Sequence, residues 1–106
     1  MSRSPTITDD NELLHNPSAG DILASEFIEP LTLAAEALAA AIQVSAATVQ
    51  SMIDGTHPVD AELDLRLGRY LGMSEGFFLR LQNAYDLEEA KRTRGDAIER
   101  ITRRAA

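Results

Sequence analysis

The residues of this chain whose types and spacing can do chemistry lie between Ser45 and His57. Ser45, Thr48, Gln50, Ser51, Thr56 and His57 offer hydroxyl, amide and imidazole groups, and Ala46 and Ala47 set methyl groups among them. This is recognition chemistry. A Gln amide can pair with an adenine edge, a Thr or Ala methyl can touch a thymine methyl, and hydroxyls with backbone N–H groups can hold phosphates. Charge opposes the reading: from Ser4 to Leu65 there are eleven Asp and Glu and no Lys or Arg, whereas DNA readers draw much of their affinity from cations set against phosphates. For Gln50 and Ser51 the alternative is an ordinary solvated helix surface. For His57 it is a loop side chain against a pH-dependent stand-in for a missing cation. Catalysis has no candidate, because the chain lacks a Gly-rich phosphate loop, a Cys, and any His paired with a carboxylate at catalytic spacing. His15 and His57 are too isolated for a metal site, and no cofactor is expected.

The elements that must position these groups read as helices. Residues 1–14 mix Ser, Thr, Pro and Asp without apolar period and are expected to form a flexible N-terminal tail. Asn16 as cap and Pro17 as first helical residue open a helix through Ile22, Leu23, Phe27 and Ile28, to a break at Pro30. His15 caps or packs at its entry. Leu31 to Gln43 is an alanine-rich second helix. Ser45 then caps a third helix to Asp54, ended by Gly55 in a left-handed cap. Only Val44 and Ser45 separate these two, which is the geometry of a helix-turn-helix. Asp60 caps a fourth helix with Leu63, Leu67 and Leu71, which stops at Gly72. Ser74 caps a fifth, through Phe77, Phe78, Leu81, Tyr85 and Leu87 to about Arg92, before Gly95 interrupts it. Asp96 to Arg104 can add a last turn or two, with Asp96–Arg100 and Glu99–Arg103 as acid-before-base pairs. No segment alternates with period two, so the expectation is an all-α, compact bundle of five or six helices containing a helix-turn-helix. The helix-turn-helix domain spans residues 15–92, and 93–106 form a short C-terminal helix or tail.

At 106 residues with 44% hydrophobic composition the chain can build one core. The absence of Cys removes disulfides and thiolate sites together. No apolar run approaches the ~18 residues of a membrane span, and the first residues lack the basic-then-apolar order of a signal peptide. A cytoplasmic protein without membrane contact is expected. The net charge of −7 is uneven: Met1 to Leu65 carries −10 and Arg66 to Ala106 carries +3. An acidic half suits either a basic partner or a solvated surface. Phe77, Phe78, Leu81 and Tyr85 read as core, yet two adjacent phenylalanines point in two directions. Part of that stripe, with Leu87, is therefore a candidate dimer surface, as an operator with two half-sites would require.

The order of features resembles a known family. HNPSAGDILASEFIEPL, LTLAAEALAAAIQVSAATVQSMIDG and ELDLRLGRYLGMSEGFFLRLQNAYDLEEAK are similar to the HigA antitoxins of bacterial toxin–antitoxin pairs, a branch of the Xre-type helix-turn-helix proteins. The likeness covers about His15 to Lys91. It implies a lambda-repressor-like fold and a dimeric antitoxin that blocks a basic, RelE-like (HigB-type) ribonuclease toxin and represses the operon encoding both. With such a partner, Glu26, Glu29 and Glu36 on the first two helices become candidates for meeting the toxin. The sequence departs from the family where DNA is touched. Typical relatives open the second helix with Ser-Gln, where Ala34 and Ala35 stand here. Their recognition helix begins Ser-Arg-Asn, here Ser45-Ala46-Ala47, and their Lys/Arg-rich loop is here Thr56-His57-Pro58. The alternative is therefore a module that has kept the fold, lost DNA binding, and only masks a basic partner.

Overall fold

The computed structural model describes residues 15–105. Its described residues form five helices and no strand. The first, α1, is built of three contiguous pieces, Ala19–Ile22, Leu23–Ile28 and Glu29–Leu31, followed by α2 (Ala35–Ile42), α3 (Ala46–Asp54), α4 (Ala61–Leu71) and α5 (Phe77–Glu99). None is long and apolar enough to cross a membrane.

The start of α1 differs from the expected one. Ser18, not Asn16, is the cap. Its hydroxyl accepts from the Asp21 N–H, and the Asp21 carboxylate accepts from the Ser18 N–H, closing a reciprocal box. Asn16 is used across the fold instead, donating its amide to the Tyr85 carbonyl at 3.1 Å and to Glu89 at 3.0 Å. Nor does Pro30 end the helix. The middle piece, Leu23–Ile28, is a wider π turn, and the Glu29 N–H reaches back five residues to Ala24. A proline ring collides with the carbonyl four residues earlier in a regular α-helix. The wider turn just upstream lets the chain carry Pro30 one residue further to Leu31 before Thr32 closes the helix in a left-handed conformation.

α2 and α3 are joined by Gln43, Val44 and Ser45, with Gln43 held at a φ of 64°. The cap expectations for Ser45, Gly55, Asp60 and Gly72 all hold, Ser45 and Asp60 through side-chain acceptors and the two glycines through a left-handed backbone. Ala19, Leu23, Leu38, Ala39, Ile42, Val49, Met52, Val59, Leu63, Leu67 and Phe78 form one core drawn from every helix. The approach of α1 to α3 depends on Gly20, because a Cβ there would stand 1.9 Å from the Met52 carbonyl oxygen.

α5 begins at Gly76 rather than Ser74, and its N-terminal N–H groups are served from another helix. Asp64 of α4, 1% exposed, accepts from Gly76 at 2.7 Å, Phe78 at 2.8 Å and Leu79 at 3.1 Å. One buried carboxylate thus does the work of a cap while fastening α4 to α5. The helix then runs straight through Gly95 to Glu99 and crosses the boundary expected after Arg92. Nothing packs where a Gly95 side chain would be, so the ~1 kcal/mol helix penalty of one glycine has 22 other residues to absorb it. The Asp96–Arg100 and Glu99–Arg103 pairs do not form among the described residues, both arginines lying beyond the last helical residue. Glu88–Arg92 at 3.1 Å pairs instead.

Candidate nucleic-acid interface

The α2–turn–α3 unit presents one face of α3 to solvent, with Val49 and Met52 holding the opposite face in the core. Ser45, Ala46, Ala47 and Gln50 are exposed, and Thr48, Ser51 and His57 half-buried. The unit is rigid at both ends. At its start the Ser45 hydroxyl accepts from the Thr48 N–H at 3.1 Å and lies 2.9 Å from the Thr48 hydroxyl. At its end the Ser51 carbonyl accepts from the N–H groups of Thr56, at 2.9 Å, and His57, at 3.1 Å. The Thr56 hydroxyl joins them at 3.3 Å. The loop is tied on to α5 as well, the Gln82 amide oxygen accepting from Val59 N–H at 3.0 Å.

The candidate residues are therefore together, but not all are free. Gln50, the best base reader of the set, donates its amide to Asp54 one turn later at 3.1 Å. The bond occupies one N–H of the exposed amide and sets the Asp54 carboxylate beside it. Ser51 acts through its backbone, fixing the loop, and His57 lines a shallow cleft with Val44, Thr48, Asp60, Leu63 and Arg66. The N-terminus of α2 carries no side-chain cap at Ala34.

Arg66, missing from the sequence-derived set, positions the whole unit. Its guanidinium donates to the Ile42 carbonyl at 2.9 Å and to Gln43 at 3.5 Å, and pairs with Glu62 at 2.8 Å. A cation on the last carbonyls of α2 satisfies acceptors that a helix end leaves open and favours its negative dipole end. The first cation after Leu65 is thus spent on holding the turn. Its four-residue spacing from Glu62 was the signal in the sequence; its reach to α2 was not visible there.

The proposed dimer stripe needs correction. Phe78 is 0% exposed and belongs to the core, where Phe27, Phe77 and Phe78 form an aromatic cluster with ring centroids 5.0 to 6.1 Å apart. The two adjacent phenylalanines do point in two directions, but α1 supplies a ring for both. Phe77 and Leu81 pack against the core from its edge, Tyr85 is half-buried, and Leu87 is 62% exposed. Glu26, Glu29 and Glu36 all face solvent.

Similar proteins share both sequence and architecture. Virulence-associated protein I of Dichelobacter nodosus is 38% identical over 72 residues, which is 68% of this chain and 67% of that one. Antitoxin HigA-1 of Vibrio cholerae is 35% identical over 74 residues, 70% of each. Among solved structures, Pseudomonas aeruginosa antitoxin HigA with the higBA promoter superposes with a TM-score of 0.80 at 33% identity, covering 87% of this chain and all of that one. No protein-family model matches the sequence. With the helix-turn-helix, its caps and its five-helix frame in place, these likenesses show that the chain belongs to the HigA family of helix-turn-helix antitoxins.

Proposed function

We propose that this protein is the antitoxin of a type II toxin–antitoxin pair: it neutralises a RelE-like, HigB-type ribonuclease toxin and, as a homodimer, binds operator DNA through α2 and α3 to repress its own operon. The observation that carries the DNA half is the α3 surface, solvent-facing between two fixed ends in a fold shared with a relative solved with promoter DNA. The toxin half rests on family membership and on the acidic first two helices, whose exposed Glu26, Glu29 and Glu36 suit a cationic ribonuclease. For the dimer we favour a surface on the outward side of α5. There Leu87 is exposed opposite the core-facing Phe78, and among the described residues nothing covers it.

The second reading, a module that masks a basic partner without reading DNA, is favoured by the Gln50–Asp54 bond and the lack of cations on the α3 face. Restoring arginine at Ala46 and Thr56 separates the two. If Ala46→Arg with Thr56→Arg raises operator affinity only by the ~1–3 kcal/mol of a good contact, the native surface is already a reader. If it creates binding from nothing, DNA reading had been lost. For the toxin half, the basic protein encoded beside this gene is expressed with and without this chain. Relief of growth arrest and of RNA cleavage is expected, and arrest that persists despite a soluble antitoxin rejects it.

A further inference from the structure

The cations missing from the recognition face are gathered elsewhere. Of the ten Lys and Arg in the chain, six lie between Lys91 and Arg104, a stretch holding only two acids, Asp96 and Glu99, while the rest of the chain is strongly negative. In the structure this stretch is the distal part of α5 and its extension. Side chains there face solvent on every side of the helix, with only Gly95 half-buried. Among the described residues Lys91, Arg94, Arg100, Arg103 and Arg104 make no hydrogen bond or ion pair, since Asp96 and Glu99 leave the arginines that follow them unpaired.

This arm is rooted where α5 meets the loop that closes α3 and the start of α1. Gln82 of α5 holds the backbone of the loop that follows α3. Three and seven residues on, Tyr85 and Glu89 receive Asn16 at the root of α1, and that end of α1 lies against the end of α3 through Gly20. From Gln82, Lys91 is about 14 Å and Glu99 about 26 Å further along the helix axis at the α-helical rise. Those lengths compare with the spacing of phosphates along a turn of duplex. A basic arm on an acidic body, rooted against the loop that closes a cation-free helix-turn-helix, fits a polyanion.

We propose that the distal part of α5 and the segment that follows it are a second, sequence-independent DNA contact: Lys91, Arg94, Arg100, Arg103 and Arg104 bind duplex phosphates and supply the electrostatic affinity that α2 and α3 lack, leaving those helices to select sequence. This rests on the operator-binding reading above. The division of labour follows from chemistry, because phosphate contacts give affinity and register while base edges give specificity.

The test compares full-length variants carrying equal charge changes: Arg100→Gln with Arg104→Gln in the arm, and Arg69→Gln with Arg80→Gln on the exposed surface of the body. Anisotropy titrations on the operator and on a scrambled duplex, across a salt series, read the slope of log affinity against log salt. Each phosphate contact contributes about 0.9 to that slope. With two arginines removed from each of two protomers, the arm pair is therefore expected to flatten it by about 3.6 and to weaken both duplexes about tenfold or more, leaving their ratio unchanged. The body pair is expected to leave the slope in place. Circular dichroism confirms the helix content of each variant. Specific binding by wild type with a slope that the arm pair leaves unmoved, or that both pairs move equally, overturns the arm while the operator reading stands. A change confined to oligomeric state in sedimentation also overturns it, assigning the arm to assembly. Failure of folded wild type to bind either duplex overturns both readings.

Discussion

Removing the Asp64 carboxylate should be the most damaging single polar change in the molecule. Asp64 is 1% exposed and accepts from three backbone N–H groups, at 2.7, 2.8 and 3.1 Å, at the head of α5. Truncation to alanine strands those donors, and each buried donor left without an acceptor costs about 1–3 kcal/mol. Water entering the vacated space recovers part of the sum. We therefore expect about 3–5 kcal/mol for Asp64→Ala, in the range of a broken buried charge interaction. At roughly 4–8 °C per kcal/mol for a domain of this size, the melting temperature falls by at least ~12 °C. Asp64→Asn keeps the shape and leaves one amide oxygen for Phe78 and Leu79, but turns an NH2 group toward the Gly76 N–H. About 1.5–3 kcal/mol should be lost. Urea denaturation followed by far-ultraviolet circular dichroism gives both values. If Asp64→Ala lies within 1 kcal/mol of wild type with an unchanged denaturant slope, the fastening of α5 through this carboxylate is refuted.

Other substitutions probe the remaining links. Gly20→Ala sets a methyl 1.9 Å from the Met52 carbonyl oxygen, so α1 must lift from α3. A loss of about 3 kcal/mol or more by the same melt is expected, beyond ordinary overpacking. Gln43→Gly removes a side chain from a left-handed turn position at φ 64° and should stabilise by about 0.5–1 kcal/mol, read as a raised denaturation midpoint. Asp54→Asn lowers the charge that holds Gln50 and removes an anion from the end of α3. Operator affinity should rise by roughly three- to tenfold, within the range of one base or phosphate contact, in an anisotropy titration.

The parts legible in the sequence were those decided within a few residues. Ser45, Gly55, Asp60 and Gly72 each end or begin a helix through a bond or a backbone conformation that their own type provides. The expectations that failed depended on distant partners. Asn16 has the chemistry of a cap, but Tyr85 and Glu89 across the fold outbid its own helix. Phe77 and Phe78 imply two separate directions only until Phe27 is known to fill the space between them. Pro30 and Gly95 are breakers by propensity, overridden in one case by a π turn and in the other by a long, continuous helix. Asp64 lies in register with the buried leucines Leu63 and Leu67, and an acid in an apolar stripe is a readable sign of a buried acceptor. The donors it serves could not be named without the structure. Within the candidate interface the structure brings the residues together on one helix and the loop that closes it. Their availability was not legible in the sequence, because the Gln50–Asp54 and Arg66–Ile42 bonds arise from side-chain choices that spacing alone leaves open.

The central claim is that a helix-turn-helix without a cation on its recognition face still selects an operator. The most direct measurement is fluorescence anisotropy of the full-length protein on the duplex immediately upstream of its own gene, against a scrambled duplex, at two salt concentrations. The account predicts preferential binding to the upstream duplex, with a salt slope no steeper than the five unpaired cations of the α5 arm in each protomer can supply. Equal affinity for the two duplexes, or no binding by protein shown to be folded, would contradict it.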